Sequence, residues 1–93
     1  MNKYESVIIV EDSLKDSQKE ETVNKMKDFI TKNGELTNME IIGSRTLAYE
    51  IRKQKKGYYV VFNFNAKPTV IAELERIYRI TDEIMKFMTI KQD

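Results

Sequence analysis

Residues 43–64 read GSRTLAYEIRKQKKGYYVVFNF, and this segment carries the clearest structural signal in the chain. Two runs rich in β-branched and aromatic residues flank a short cationic stretch that contains a glycine. The pattern is typical of two antiparallel strands joined by a tight turn. We place that turn at residues 54–57, so that its tip is basic and carries Lys55 and Lys56.

The second run of this segment alternates over residues 58–65. One predicted face carries Tyr58, Val60, Phe62 and Phe64, and the other carries Tyr59, Val61, Asn63 and Asn65. Because Phe62 and Phe64 share a face with Val60, we assign them to the core. Tyr59 is then on the more open face, where it contacts either a base or a protein partner.

The remaining elements follow outward from this pair of strands. A β-branched run predicts a first strand at 4–10, and Ser17 with Glu20 has the spacing of a capping box that opens a first helix. That helix ends at Asn33-Gly34, and the extended run 36–53 is long enough to need a bulge, which we place at Gly43. Pro68 opens a second helix that Thr81-Asp82 breaks, and the last strand spans 84–91.

The order of these elements is β-α-β-β-α-β. It predicts an α+β, ferredoxin-like split β-α-β fold, in which two helices cover one face of a four-stranded antiparallel sheet. At 93 residues the chain is long enough for one core, so we expect a single domain over residues 1–93. The absence of cysteine fits a reducing cytoplasm, and no apolar run is long enough to span a membrane.

Charge is unevenly distributed along the chain. The net charge is only +1, yet residues 44–67 carry a single acid, Glu50, against six basic residues: Arg45, Arg52, Lys53, Lys55, Lys56 and Lys67. Such a local positive field suits a protein with one edge against phosphate. The alternative is a lysine-rich hairpin that keeps an exposed strand edge soluble.

The sequence argues against an enzyme. Without histidine or cysteine, the commonest acid–base and nucleophilic groups near neutral pH are missing. Glu11, Asp12 and Asp16 could form a cation site or an acid–base pair, but we favour a solvated loop with negative charge near a helix N-terminus. The glycines are isolated, so no phosphate-binding loop is expected. We predict no catalytic residue, no metal and no cofactor.

The same residues resemble a known family. The motifs that carry the resemblance run through the whole chain: Tyr4-Glu5, Gly43-x-Arg45-x-Leu47-Ala48-Tyr49, Lys53, Gly57-Tyr58, Glu73-Leu74-Glu75, Arg79-Ile80-x-Asp82 and Met88. Together they resemble the bacterial small-subunit ribosomal protein six family.

This resemblance implies a non-enzymatic component of the small ribosomal subunit, located on cytoplasmic ribosomes. It implies binding to the central domain of the small-subunit rRNA together with small-subunit ribosomal protein eighteen, and a chain that is monomeric when free. The expected RNA contacts combine positions matched to the family with the basic hairpin: Lys3, Arg45, Arg52, Lys53, Lys55, Lys56, Arg79 and Lys86. The expected contacts with the protein partner are Tyr49 and Tyr59. Neither a membrane nor a small-molecule substrate is expected.

Some positions depart from the family pattern. Relatives often have arginine where Asn2 and Thr46 stand and typically arginine at Lys86, so this chain loses charge or a bidentate donor there. Proline is usual where Glu50 stands.

Two other functions remain open: a homodimeric ligand-binding or regulatory domain of the same fold, and a small hydrolase.

Overall fold

The computed structural model describes residues 1–92 and contains four strands and two helices. The elements are β1 (Asn2–Glu11), α1 (Asp16–Asn33), β2 (Glu35–Ile51), β3 (Gln54–Ala66), α2 (Pro68–Ile80) and β4 (Ile84–Gln92). The strands form one antiparallel sheet in the order β2-β3-β1-β4. The predicted ferredoxin-like fold is therefore confirmed, and β2 and β4 are its two edges.

The core lies between one face of this sheet and the two helices. Alternate residues of β1 and β3 point into it, and Ile8, Val60 and Phe62 are fully buried. The helices contribute apolar stripes that include Met26 and Leu74, both also fully buried. The assignment of Phe62 and Phe64 to the core is confirmed, since alternation along a strand sends every second side chain to the same face.

Three hydroxyl groups meet inside this core. The Ser6 Oγ atom of β1 lies 2.8 Å from the Tyr78 hydroxyl oxygen of α2 and 3.0 Å from Thr89 Oγ1 of β4. Ser6 and Tyr78 are at most 1% exposed, so each needs an internal partner. Burial raises the pKa of Tyr78, which keeps the phenol neutral and able to donate. The chain of hydroxyls fixes α2 against the sheet.

The predicted capping box at Ser17 and Glu20 is wrong by two residues. The N-cap is Lys15, whose backbone N–H donates to Oε1 of Gln18 at 3.1 Å. Gln18 thus performs the role at the third helical position that we assigned to Glu20. Sequence alone does not identify the correct frame, because serine is a better N-cap residue than lysine and therefore favours Ser17. Pro68 opens α2 as predicted.

The predicted position of the hairpin turn is also wrong. The turn consists of Arg52 and Lys53, both at positive φ (53° and 63°), and residues 54–57 belong to β3. Ile51 and Gln54 are paired across it, as in a two-residue hairpin loop. The predicted bulge at Gly43 is confirmed, because the β2–β3 register shifts there and Gly43 has a φ of 90°.

Gly57 is needed for close packing, which is why it stands inside a strand. A Cβ atom at this position would lie 2.4 Å from Cγ2 of Ile9 and 3.1 Å from Cδ2 of Leu47. Both distances are below ordinary van der Waals contact, so only glycine lets the end of β2 lie this close to the sheet. The consequence is that the hairpin can bend over the sheet.

Candidate nucleic-acid interface

The hairpin tip, residues 47–53, bends across the end of the sheet toward the opposite edge. The guanidinium of Arg52 donates to the backbone oxygens of Asp82 (2.6 Å) and Ile84 (3.2 Å), at the start of β4. Lys86 Nζ of β4 donates to the Tyr49 hydroxyl at 2.7 Å. Since β2 and β4 are separated by two strands, roughly 14 Å across, these bonds require the tip to lie over the sheet.

Most of the predicted RNA contacts lie at this end of the molecule. The hairpin itself holds Arg52, Lys53, Lys55 and Lys56, and all four residues are exposed. Arg79 is in the last turn of α2, just before the Asp82 carbonyl that Arg52 binds. The exposed basic residues gathered here are Arg45, Arg52, Lys53, Lys55, Lys56, Arg79 and Lys86.

Lys3 does not join this group. It pairs with Asn65 and Gln92 at the far end of the sheet, whereas the hairpin meets β1 where Glu11 pairs with Gly57. Lys3 and Glu11 are eight steps apart along the strand, which is about 26 Å. One of the predicted basic positions is therefore remote from the others.

The sheet face opposite the helices is apolar beside the hairpin tip. A shallow groove of about 200 Å³ lies there, and its lining includes Val7, Ile9, Tyr59, Lys86 and Met88. Tyr59 therefore lies on the open face, as its alternation predicts, and Tyr49 reaches the same face through Lys86. The two predicted partner contacts are thus brought to one surface, and Tyr49 is 62% exposed.

The contribution of β4 to this surface was not predicted from the sequence. Met88 is 55% exposed and Ile90 is 46% exposed, on the same face as Lys86. The alternation of residues 86–90 contains the signal, because Phe87 and Thr89 point to the helices while the residues between them do not. An exposed apolar strip of this kind indicates an interaction surface.

The acidic loop after β1 forms a polar cluster. Asp12 accepts hydrogen bonds from the Ser44 hydroxyl and from Lys19 Nζ, the latter at 3.2 Å. The Ser44 hydrogen bond is the main reason that the pKa of Asp12 lies below its ordinary value. Lys19 also lies 5.0 Å from the centre of the Tyr58 ring. Asp12 therefore ties the loop to α1 and β2, because its carboxylate binds Lys19 of α1 and Ser44 of β2.

Residues 1–92 hold neither a clustered metal site nor a membrane-spanning helix. Within them no three His, Cys, Asp or Glu residues are grouped closely enough to hold a metal ion. No helix in this range has the length and apolar character needed to cross a membrane.

The structure is an open-faced α+β sandwich with a basic hairpin beside an apolar strip, and the comparisons with known proteins give its family. The family model for ribosomal protein S6 matches residues 3–91. The small ribosomal subunit protein bS6 of Caldanaerobacter subterraneus subsp. tengcongensis is 39% identical over 100% of this chain and 99% of its own length. That of Helicobacter acinonychis is 42% identical over 100% of this chain and 66% of its own length.

A solved structure agrees with these sequence matches. The crystal structure of 30S ribosomal protein S6 from Thermotoga maritima superposes with a TM-score of 0.93 at 32% identity, over 98% of this chain and 87% of that one. The chain belongs to the ribosomal protein S6 family. It is a structural, non-enzymatic component of the small subunit of cytoplasmic ribosomes, as the resemblance implied. This favours the ribosomal prediction over the ligand-binding and hydrolase alternatives.

Proposed function

We propose that the chain binds the central domain of the small-subunit rRNA through its hairpin end, together with small-subunit ribosomal protein eighteen. The observation that carries this proposal is the gathering of exposed lysines and arginines at one end of the molecule, directly beside an apolar strip on the open sheet face. One surface suits phosphate and the adjoining one suits protein.

The charge distribution supports an RNA contact that positions the protein and reads few bases. Lysine and arginine side chains neutralise phosphates and release counterions, which gives affinity without sequence information. The turn and the start of β3 supply Lys53, Lys55 and Lys56, and Arg79 and Lys86 lie at the same end of the molecule. Acidic side chains such as Asp82 and Glu83 are close by, so the local field is moderate. Binding of RNA by this chain alone is accordingly weak.

The open sheet face supports a protein partner. Tyr59 and Met88 line an apolar groove, and Ile90 extends the strip along β4. Aromatic and methionine side chains are enriched at protein interfaces because they bury large areas of apolar surface. Protein eighteen seated on this strip adds buried area and charge next to the hairpin. Neither protein alone presents both surfaces to the RNA, which predicts strongly cooperative binding. Without the partner the chain is a monomer.

The test is a titration of an rRNA central-domain fragment with this chain alone and with protein eighteen present. The pair binds at least about tenfold more tightly than the chain alone, and its affinity falls with salt with a logarithmic slope on the order of −3 to −4.5. Equal affinity with and without protein eighteen contradicts the proposal.

A matched pair of variants locates the RNA contact. Lys55→Gln removes a charge from the hairpin, and Lys32→Gln removes one from the last turn of α1, at the opposite end of the sheet. The hairpin variant lowers the magnitude of the salt slope by about 0.9, the value for one phosphate contact, and the Lys32 variant leaves it unchanged. An equal effect of the two variants means that only net charge matters and that the hairpin is not the contact.

A further inference from the structure

The two edges of the sheet are joined at one end by side chains of the hairpin tip. Of these contacts, those of Arg52 are directed at backbone oxygens, which belong to Asp82 and Ile84 and are fixed by the fold. A guanidinium presents its donors in a rigid planar fork and can bind two acceptors at once, whereas an ammonium group offers a point charge. Arg52 therefore fastens the hairpin to the start of β4 in a manner that lysine does not reproduce.

The backbone of the turn depends on such an anchor. Arg52 and Lys53 both have positive φ, a conformation that side chains other than glycine and asparagine rarely adopt. Residues in this region persist where the surrounding structure holds them. The two hydrogen bonds of the Arg52 side chain tie the turn itself to the start of β4, whereas its neighbour Lys53 is exposed.

The position of the tip determines what the interface presents. Tyr49 meets Lys86 only when the tip lies across the sheet, and Leu47 is then buried next to Gly57. Release of the tip would separate Tyr49 from Lys86 and move Arg52 and Lys53 away from the start of β4. The attachment of the hairpin tip to β4 therefore places the basic residues next to the apolar strip.

We propose that Arg52 is a positioning residue of the interface: it clamps the hairpin tip to the carbonyls of Asp82 and Ile84 and thereby sets the spacing between the basic side chains and the tyrosines. It acts on RNA and partner binding through this geometry and not by neutralising a phosphate. The proposal refines the role that the sequence predicted for Arg52, and its binding half rests on the proposed function above.

The first arm of the test measures the hairpin without any ligand. Amide hydrogen exchange is followed for residues 48–53 in the full-length wild type, Arg52→Lys, Arg52→Gln and the control Lys55→Gln. Both Arg52 variants exchange at least about tenfold faster in this segment, because each loses the two-point clamp, while Lys55→Gln exchanges like the wild type. Melting temperatures are measured in parallel to detect any loss of global stability. We expect the loss of binding affinity in the second arm to be larger than this loss of stability accounts for.

The second arm measures binding of the rRNA fragment with protein eighteen over a range of salt concentrations. Both Arg52 variants weaken binding by a similar factor of about tenfold with the salt slope unchanged, whereas Lys55→Gln lowers the slope by about 0.9. The proposal is overturned if Arg52→Lys matches the wild type in both arms, or if Arg52→Gln alone reduces the slope, which marks a phosphate contact. If the wild type itself does not bind the fragment, the proposed function is wrong. The clamp by Arg52 is then tested by the hydrogen-exchange data alone.

Discussion

The hydroxyl oxygen of Tyr49 accepts a hydrogen bond from Nζ of Lys86 at 2.7 Å, although the two residues belong to β2 and β4, the opposite edges of the sheet. The ammonium group also lies 5.3 Å from the centre of the Tyr49 ring. The first contact raises the pKa of Lys86. A residue predicted to meet RNA and one predicted to meet protein are thus paired, so both surfaces change together when the hairpin moves.

Tyr49→Phe removes the hydroxyl and keeps the ring. Because the hydrogen bond from Lys86 to Tyr49 is the main cause of the raised pKa of Lys86, we expect this pKa to fall toward its usual value. The measurement is an NMR titration of the Lys86 side chain. The control is Tyr59→Phe, since Tyr59 makes the smallest contribution to the same shift and should change it less. A larger change in the control would show that the Tyr49–Lys86 bond is absent in solution.

Gly57→Ala is expected to destabilise the fold by about 1–3 kcal/mol, the usual cost of overpacking. The new Cβ atom would lie 2.4 Å from Cγ2 of Ile9, so the hairpin or the strand must shift. Urea unfolding gives the free energy.

The control for this change is a double-mutant cycle with Ile9→Ala, which removes the clashing methyl group. The cost of Gly57→Ala should be smaller in the Ile9→Ala background than in the wild type. An identical cost in both backgrounds would contradict the close approach of β1 and β3 at this point.

The hydroxyl chain in the core predicts an asymmetry between two variants. Tyr78→Phe leaves Ser6 its bond to Thr89 and should cost about 1 kcal/mol of unfolding free energy. Ser6→Ala leaves the buried hydroxyl of Tyr78 without a partner and should cost about 2–3 kcal/mol. Thermal or urea unfolding measures both.

The matched surface control for these variants is Thr31→Val. The hydroxyl of Thr31 donates to the backbone oxygen of Lys27 at an exposed site, so its loss should change stability by less than about 0.5 kcal/mol. If Tyr78→Phe proves costlier than Ser6→Ala, Ser6 is not the principal partner of the phenol.

Asp12 should make stability depend on pH in the acid range. Its pKa in the folded chain is lower than its ordinary value of 3.8, chiefly because the Ser44 hydroxyl donates to the carboxylate. A lowered folded-state pKa stabilises the fold above the unfolded value, and this contribution is lost as the pH falls through the folded value. The difference in unfolding free energy between wild type and Asp12→Asn is therefore present at pH 7 and shrinks below pH 3.8.

Glu73 provides the comparison for this titration. Its pKa is also lowered, by the hydrogen bond from Arg76, but the pair is exposed to solvent. Glu73→Gln should therefore change stability little at any pH, since solvent screens exposed pairs. If the difference in unfolding free energy between wild type and Asp12→Asn is the same at pH 3 and pH 7, the Ser44 and Lys19 contacts do not form.

The sequence predicted those elements whose signal is local. Alternation over residues 58–65 and the apolar stripe of α2 follow from burial of one face, and both strand and helix occur where expected. The turn was misplaced because Gly57 looks like a turn residue, whereas its role is to avoid Ile9, a residue 48 positions earlier in the chain. Arg52 and Lys53 carry no turn preference of their own, so nothing local marks them.

The candidate interface, too, was predictable only where its signal is local in the sequence. The accumulation of basic residues over 44–67 is visible in the sequence, and most of them do gather at one end. Lys3 lies at the other end because β1 begins there, with Asn2 opposite Ala66, and runs toward the hairpin, which strand pairing alone decides. The acceptors of Arg52 are backbone oxygens 30 and 32 residues away, and a backbone oxygen has no sequence signature.

The fastening of the hairpin also bears on how the chain avoids sticking to copies of itself. An unpaired edge strand offers a row of hydrogen-bonding groups on which another chain can form a new strand. Arg52 occupies the carbonyl of Ile84, the first residue of the edge strand β4, and the folded-over tip crowds the surrounding space. Addition of a further strand at that end of β4 is therefore hindered by a cationic side chain from the opposite edge of the same sheet.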